Sequence, residues 1–134
     1  MDLIYIIRLE RGERIIEKLL EFCQREGICA GYFNGLGAAS ELELGHFDLA
    51  TKKYTSRKLS GQYEITSLHG NISTLDNKSY IHAHITVGDE KFNSSSGHLK
   101  EAIVSATCEI FLVKVDGEVR RKKDEETGLN LLDI

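Results

Sequence analysis

Only one segment of this chain has the apolar spacing of an amphipathic helix, and most of the remaining sequence has the shorter spacing of β-strands. The helical segment runs from Gly12 to Glu26, and Gly27 stands where a left-handed helix stop is expected. Its apolar residues fall on one face, while its charged residues fall largely on the other. These apolar residues are Ile15, Ile16, Leu19, Leu20 and Cys23. We therefore expect one long helix that packs its apolar face against a sheet.

Short β-type segments surround this helix. They are predicted at Leu3–Leu9, Ile28–Asn34, Glu41–Leu49, Tyr54–Leu59, Tyr63–His69, Ser79–Val87 and Thr107–Val115. A change of phase at Gly45-His46 predicts a bulge, and Ser60-Gly61 predicts a turn. Asp116-Gly117 predicts a hairpin that leads into Val119–Arg121.

The order of these segments predicts the fold class. Strands and helices do not alternate, and the chain of 134 residues has no linker, repeat or proline. We therefore predict an α+β fold in one domain over residues 1–134. It consists of a mostly antiparallel sheet covered by the long helix and by a short helix at Leu99–Val104.

Charge and cysteine content narrow the class of protein. The net charge is −4 and the isoelectric point is about 5.7, which argues against duplex binding by the isolated chain because phosphate contacts need a basic excess. The three cysteines include no Cys-x-x-Cys pair and are predicted to be reduced thiols of a soluble, cytoplasmic protein. Met1–Arg8 lacks the features of a signal peptide, and no apolar stretch approaches membrane-spanning length.

Three histidines form the sharpest chemical pattern in the sequence. His82 and His84 lie two residues apart in a predicted strand, so their side chains project from the same face. His98 follows Gly97 and the polar loop Glu90–Ser96, which can turn the chain back over that strand. Three imidazoles with one open coordination position are a common site for zinc or a similar divalent metal. The alternative for His82 and His84 is a polar pair that faces solvent.

Other polar residues are candidates for supporting roles. His46 and His69 lack ligand spacing and are interpreted as structural, although His69 could lie beside the metal site as a second-shell group. Asn71 could be a polar contact in the same pocket. Glu64 and Glu109 sit within apolar strands and are the candidate catalytic bases if they are buried beside a metal-bound water; otherwise they are structural.

Two further motifs have a plainer interpretation. Gly35–Ser40 resembles a dinucleotide fingerprint, but a strand rather than a helix is predicted to follow, so no pyrophosphate site is expected. Its glycines are better explained by a tight turn or a close contact. The basic run Arg120–Lys123 is followed at once by acidic residues and is interpreted as a solvated loop rather than a nucleic-acid contact.

Ordered matches over about 120 residues resemble the PPC (plants and prokaryotes conserved) family, also called DUF296, in its stand-alone prokaryotic form. The matching segments are Arg8-Leu9, Gly12-Glu13, Gly35–Ala38, Leu44–Asp48, Tyr54, Gly61–Ile65, Ser67–Asn71, His82–His84, Gly97–Leu99 and Thr107–Ile110. The resemblance implies an α+β, trimer-forming fold with an antiparallel sheet. It also implies metal binding through the histidines at 82, 84 and 98.

The resemblance leaves two functional hypotheses. One is a metal-binding homotrimer that senses or regulates and contacts DNA directly or through a DNA-binding partner, as plant members do in the nucleus. The Arg-Gly-Arg-Pro core with which those members read DNA is absent here. The alternative is a metal-dependent enzyme that acts on a small molecule through the three histidines, with Glu64 or Glu109 as the base. A purely structural metal that ties the strand to Gly97-His98 is a third possibility.

Overall fold

The computed structural model describes residues 3–134, so the first two residues of the predicted domain lie outside it. Its elements are β1 (Leu3–Glu10), α1 (Ile15–Glu26), β2 (Gly31–Asp48), β3 (Lys53–Leu75), β4 (Lys78–Gly88), β5 (Ser94–Lys114), β6 (Arg121–Lys123) and β7 (Asn130–Leu132). The predicted mostly antiparallel sheet with a covering helix is confirmed.

The main sheet has the strand order β1-β5-β2-β3-β4, and all of its pairings are antiparallel. The first part of β5 also pairs with β4, so the pairings among β2, β3, β4 and β5 form a closed ring. Strand β5 then continues to pair with β2 and β1. This closure brings the middle of β4 next to the start of β5.

The core lies between the sheet and α1. The helix buries Ile15, Leu19 and Cys23, which are fully excluded from solvent. They pack into one cluster with apolar residues from all five strands of the sheet, including Phe33 and Ile110. The helix ends at Gly27, whose φ of 64° is left-handed as predicted. The apolar spacing in the sequence therefore identified the buried face of the helix.

The N-terminus of α1 is capped by a residue distant in sequence. The N-cap residue, Arg14, makes no side-chain cap. Instead, the Glu101 carboxylate on β5 accepts hydrogen bonds from the backbone N–H groups of Ile16 (2.8 Å) and Glu17 (3.2 Å). These two donors have no partner within the helix, and a negative charge here also complements the helix dipole.

Replacing Glu101 with alanine is expected to lower the free energy of unfolding by about 1–2 kcal/mol, the usual value of a helix cap. Urea denaturation followed by circular dichroism measures this loss. Glu90→Ala is the matched control, because Glu90 is an exposed carboxylate in the loop before β5. Equal losses in the two variants would contradict the capping role.

The predicted short helix at Leu99–Val104 is wrong, because these residues lie inside β5. They pair with residues 39–44 of β2. A six-residue helix is marginal on its own, whereas the ladder beside β2 satisfies the same backbone groups. The long-range pairing therefore overrides the local helix preference.

Two predicted breaks between strands also differ from the structure. Ser60-Gly61 lies within the continuous strand β3, where Ser60 pairs with Glu41, so no turn forms there. Likewise, Ile28–Asn34 and Glu41–Leu49 fall mainly within the single strand β2. A glycine signals a turn only where the chain lacks a partner, and here a neighbouring strand supplies one.

The predicted hairpin after Asp116-Gly117 does not return to β5, because Arg121 begins β6, which pairs with β7. The bulge predicted at Gly45-His46 lies at a neighbouring position instead. Gly45 and His46 pair in register with Ser56 and Thr55, and the shift in register lies between Glu43 and Leu44 on the β5 side.

Candidate metal centre

The histidine site is built on the outer face of β4, opposite the core. His82 and His84 project outward, while the intervening Ala83 and the following Ile85 are buried. On one side His84 pairs with His69 of β3, and on the other it pairs with His98 of β5. The closed ring of pairings therefore places His98 directly beside the His-x-His strand. The chain returns over the His-x-His strand as predicted from the polar loop, and it does so through the antiparallel pairing of β5 with β4.

The three imidazoles converge. One ligand nitrogen from each of His82, His84 and His98 lies within 4.8 Å of the others. The Nε2 atoms of His82 and His84 are 3.2 Å apart. Zinc–nitrogen bonds of about 2.0–2.1 Å in a tetrahedron place two ligand nitrogens roughly 3.3 Å apart. The spacing of this pair therefore fits a shared tetrahedral ion.

Gly97 allows His98 to approach β2 and β4 together. A Cβ on Gly97 would lie 2.9 Å from the Gly45 carbonyl oxygen, closer than side chains normally tolerate. The His98 ring packs 5.3 Å from the Tyr54 ring, measured between centroids. Its Nδ1 is buried and has no hydrogen-bond partner among the described residues. Because a coordinated nitrogen needs no hydrogen bond, this orphaned atom fits a ligand role.

The surroundings favour the neutral form of two of these histidines, His82 and His98. Burial, with smaller contributions from nearby His84, Arg121 and His98, lowers the pKa of His82 to about 4. Burial also lowers the pKa of His98, with contributions from His84 and Lys100. A metal ligand must present an unprotonated ring nitrogen. His82 and His98 therefore offer neutral imidazoles near pH 7.

The depressed pKa of His82 predicts how the metal-free protein responds to acid. Between pH 6.5 and about 4 the unfolded chain binds this proton and the folded chain does not, so stability falls as pH falls. Between pH 7.5 and 4.5, we expect the free energy of unfolding of the His82→Gln variant to fall by about 1–3 kcal/mol less than that of the wild type. Urea denaturation in the presence of EDTA measures the free energy of unfolding of both proteins at each pH. Identical pH dependence in the two proteins would contradict this assignment.

A groove of about 460 Å³ adjoins two of the three histidines. It is lined by Tyr32, Phe33, Asn34, His69, Gly70, Asn71, His82 and His84. The His69 ring lies 6.3 Å from the His84 ring, between centroids, and Asn71 pairs with His82 across β3 and β4. Both residues predicted to border the site therefore lie beside it.

The other candidate residues lie elsewhere. Glu64 and Glu109 are exposed, and neither lines the groove. His46 is exposed on β2 and also lies outside the groove. Gly35 stands within β2, where its missing side chain permits a close approach to the Glu109 carbonyl oxygen, so the motif that resembled a dinucleotide fingerprint opens no helix.

Sequence reasoning missed Arg121, which approaches the site from β6. Its Nη2 donates to the Asn71 Oδ1 and its Nε donates to the Ser73 Oγ, both at 2.7 Å. Its guanidinium lies over the Tyr80 ring. The basic run was interpreted as a solvated loop, which is wrong for this residue. The side-chain acceptors that single it out are about 50 positions away in sequence, so the run contains no signal for it.

Comparison with family models gives a match over most of the chain. The model for the Plants and Prokaryotes Conserved (PCC) domain matches residues 2–116. The chain belongs to the PCC domain family. The resemblance stated from the sequence is thereby confirmed. None of the curated proteins matches this PCC domain.

Solved structures share the fold closely. A candidate DNA-binding protein from Bacteroides thetaiotaomicron is 35% identical, with a TM-score of 0.95, and the match covers 97% of this chain and 91% of that one. A plant- and prokaryote-conserved protein from Pyrococcus horikoshii is 34% identical, with a TM-score of 0.93 and coverages of 98% and 92%. A metal-containing protein from Archaeoglobus fulgidus is 34% identical, with a TM-score of 0.92 and coverages of 97% and 92%.

Among residues 3–134, no helix has the length and apolar character that a membrane span requires.

Proposed function

We propose that this PCC domain binds a divalent metal ion through His82, His84 and His98 and acts as a homotrimeric, DNA-associated regulator. The observation that carries the metal assignment is the convergence of three ligand nitrogens within 4.8 Å. The related protein from Archaeoglobus fulgidus is described as metal-containing, which supports the same assignment here. An ion would supply a Lewis-acid centre with an open position for a ligand.

Zinc is the metal that we propose. Three neutral imidazoles without a thiolate or carboxylate suit zinc better than calcium or magnesium, which prefer oxygen ligands. Elemental analysis of the purified protein tests this directly, and we expect about one zinc ion per chain. Protein that remains metal-free after incubation with zinc and gel filtration would contradict the proposal.

An apolar patch on the sheet supports self-association. Ile4, Ile6 and Phe111 are 67%, 73% and 52% exposed, and they lie on one face because Ile6 pairs with Phe111 across β1 and β5. Tyr32 continues this face toward the histidines, since it pairs with Asn71. Monomeric proteins rarely leave such contiguous apolar surface in water. We therefore place a trimer contact on this patch.

Replacing Ile6 with glutamate is expected to convert the trimer to monomers at micromolar concentration, because a charge buried in an apolar contact costs several kcal/mol. Light scattering after gel filtration measures the mass. Leu49→Glu is the matched control, since Leu49 is 68% exposed in the turn after β2, away from the patch. A wild type that elutes as a monomer would contradict the assembly.

The proposed association with DNA draws on a related protein. The related protein from Bacteroides thetaiotaomicron is described as a candidate DNA-binding protein. The net charge of −4 opposes direct phosphate contact, so we propose association through a partner or a local basic surface. A mobility-shift experiment at low salt separates these routes. No retardation of any duplex would remove direct binding and leave the partner route.

The groove favours ligand binding over catalysis. Among its described lining residues there is no Asp or Glu that could act as a general base beside an ion. Glu64 and Glu109, the candidate bases, are exposed.

The cysteines are free thiols, which supports the proposed cytoplasmic location.

A further inference from the structure

We propose that the histidine groove binds a small carboxylate anion, which occupies the open position of the metal and is held by donors that Arg121 orients. This inference rests on the metal site proposed above. It adds the chemical class of the ligand and the residues that select it. Arg121 belongs to the segment beyond residue 116, where the match to the family model ends.

Arg121 is fixed in place before any ligand binds. Its three nitrogens donate to the Ser73 Oγ (2.7 Å), the Asn130 carbonyl oxygen (2.8 Å) and the Asn71 Oδ1 (2.7 Å). The guanidinium also stacks 5.0 Å from the centre of the Tyr80 ring. A guanidinium held by three acceptors and one aromatic face cannot swing away. It is therefore a permanent positive charge beside His82.

The orientation of Asn71 follows from the chemistry of arginine. A guanidinium only donates hydrogen bonds, so the oxygen of the Asn71 amide must face Arg121. The amide nitrogen then faces away from Arg121, and Asn71 is one of the residues that line the groove. Its two N–H groups make no hydrogen bond to a described residue. Arg121 thus presents Asn71 as a donor to whatever lies beside His82.

The charge around the groove has one sign. Arg121 contacts Asn71 in the groove, and Lys100 packs against the same Tyr54 ring as His98, the third proposed ligand. No acidic side chain lines the groove among the described residues. A bound divalent ion would add two further positive charges with three neutral ligands. A carboxylate satisfies both the ion and the amide donors, whereas a neutral ligand leaves the positive charge uncompensated.

The experiment uses the full chain loaded with Co²⁺, whose visible absorption reports its coordination. Acetate and acetamide have nearly the same shape but differ in charge, so they are the probes. We expect acetate to change the Co²⁺ spectrum saturably and acetamide to bind at least about tenfold more weakly. Equal binding of the two probes would overturn the inference without the need for any variant.

Asn71→Asp tests the orienting role. The carboxylate can still accept the hydrogen bond from Arg121, which preserves the anchor, but it removes the amide donors and brings a negative charge to the groove. We expect acetate affinity to fall by about tenfold or more while Co²⁺ binding persists. Lys122→Met is the control, because Lys122 is an exposed cation of β6, and it should bind acetate as the wild type does.

The outcomes separate this inference from the metal assignment. Protein that binds no Co²⁺ through the three histidines removes both. Protein that binds Co²⁺ but does not distinguish acetate from acetamide removes only the carboxylate ligand. Unchanged acetate affinity in Asn71→Asp removes the role of Asn71 and Arg121.

Discussion

Replacing His84 with alanine is expected to lower zinc affinity by at least about 100-fold. Loss of groups that merely support a ligand already costs 10- to 100-fold, and His84 would be a ligand itself. It also occupies the centre of the site, because its Nε2 is 3.2 Å from that of His82 and its backbone pairs with both His69 and His98. Competition with a chromophoric chelator measures the affinity.

The control for this prediction is His46→Ala. His46 is exposed on β2, and its side chain is not part of the converging set, so zinc binding should be unchanged. Removing His84 should not unfold the protein, because the side chain faces outward and leaves no cavity in the core. Full metal content in His84→Ala would refute the assignment, whereas a parallel loss in His46→Ala would indicate nonspecific binding.

Replacing Gly70 with alanine is the second large effect that we expect. Gly70 lies between His69 and Asn71 on β3, opposite Ala83 of the His-x-His strand. A Cβ there would lie 2.4 Å from the His82 carbonyl oxygen and 2.6 Å from the Phe33 ring. Neither neighbour can easily yield, since one is backbone and the other is a ring packed in the core. We expect a loss of about 1–3 kcal/mol in unfolding free energy.

The same variant should also bind zinc more weakly. The added methyl group presses against the backbone of His82 and therefore shifts its imidazole relative to those of His84 and His98. Gly88→Ala is the matched control, because Gly88 ends β4 and a Cβ there meets only an ordinary contact at 3.9 Å. Thermal unfolding and zinc competition are measured on both variants. A Gly70→Ala protein as stable as Gly88→Ala would contradict the close packing of Gly70 against His82 and Phe33.

Local pattern predicted a substantial part of the fold and of the site. The helix face and the left-handed stop at Gly27 follow from residue spacing and from the φ that glycine tolerates. The same-face projection of His82 and His84 follows from the two-residue period of a strand. Strand boundaries were predicted less accurately, because a glycine such as Gly61 continues a strand when a neighbour supplies hydrogen-bond partners.

The sequence by itself therefore determined the antiparallel class, which follows from the order of the segments, and the helix and the outward pair of histidines, which depend on contacts within a few residues. Only the tertiary structure decided that Leu99–Val104 is a strand, that Glu101 caps a helix 85 residues away, and that the ring of pairings seats His98 beside His84. The tertiary structure alone also brings Arg121 to Asn71. These are contacts between distant segments, and their free energy comes from burial and long-range pairing that no local pattern encodes.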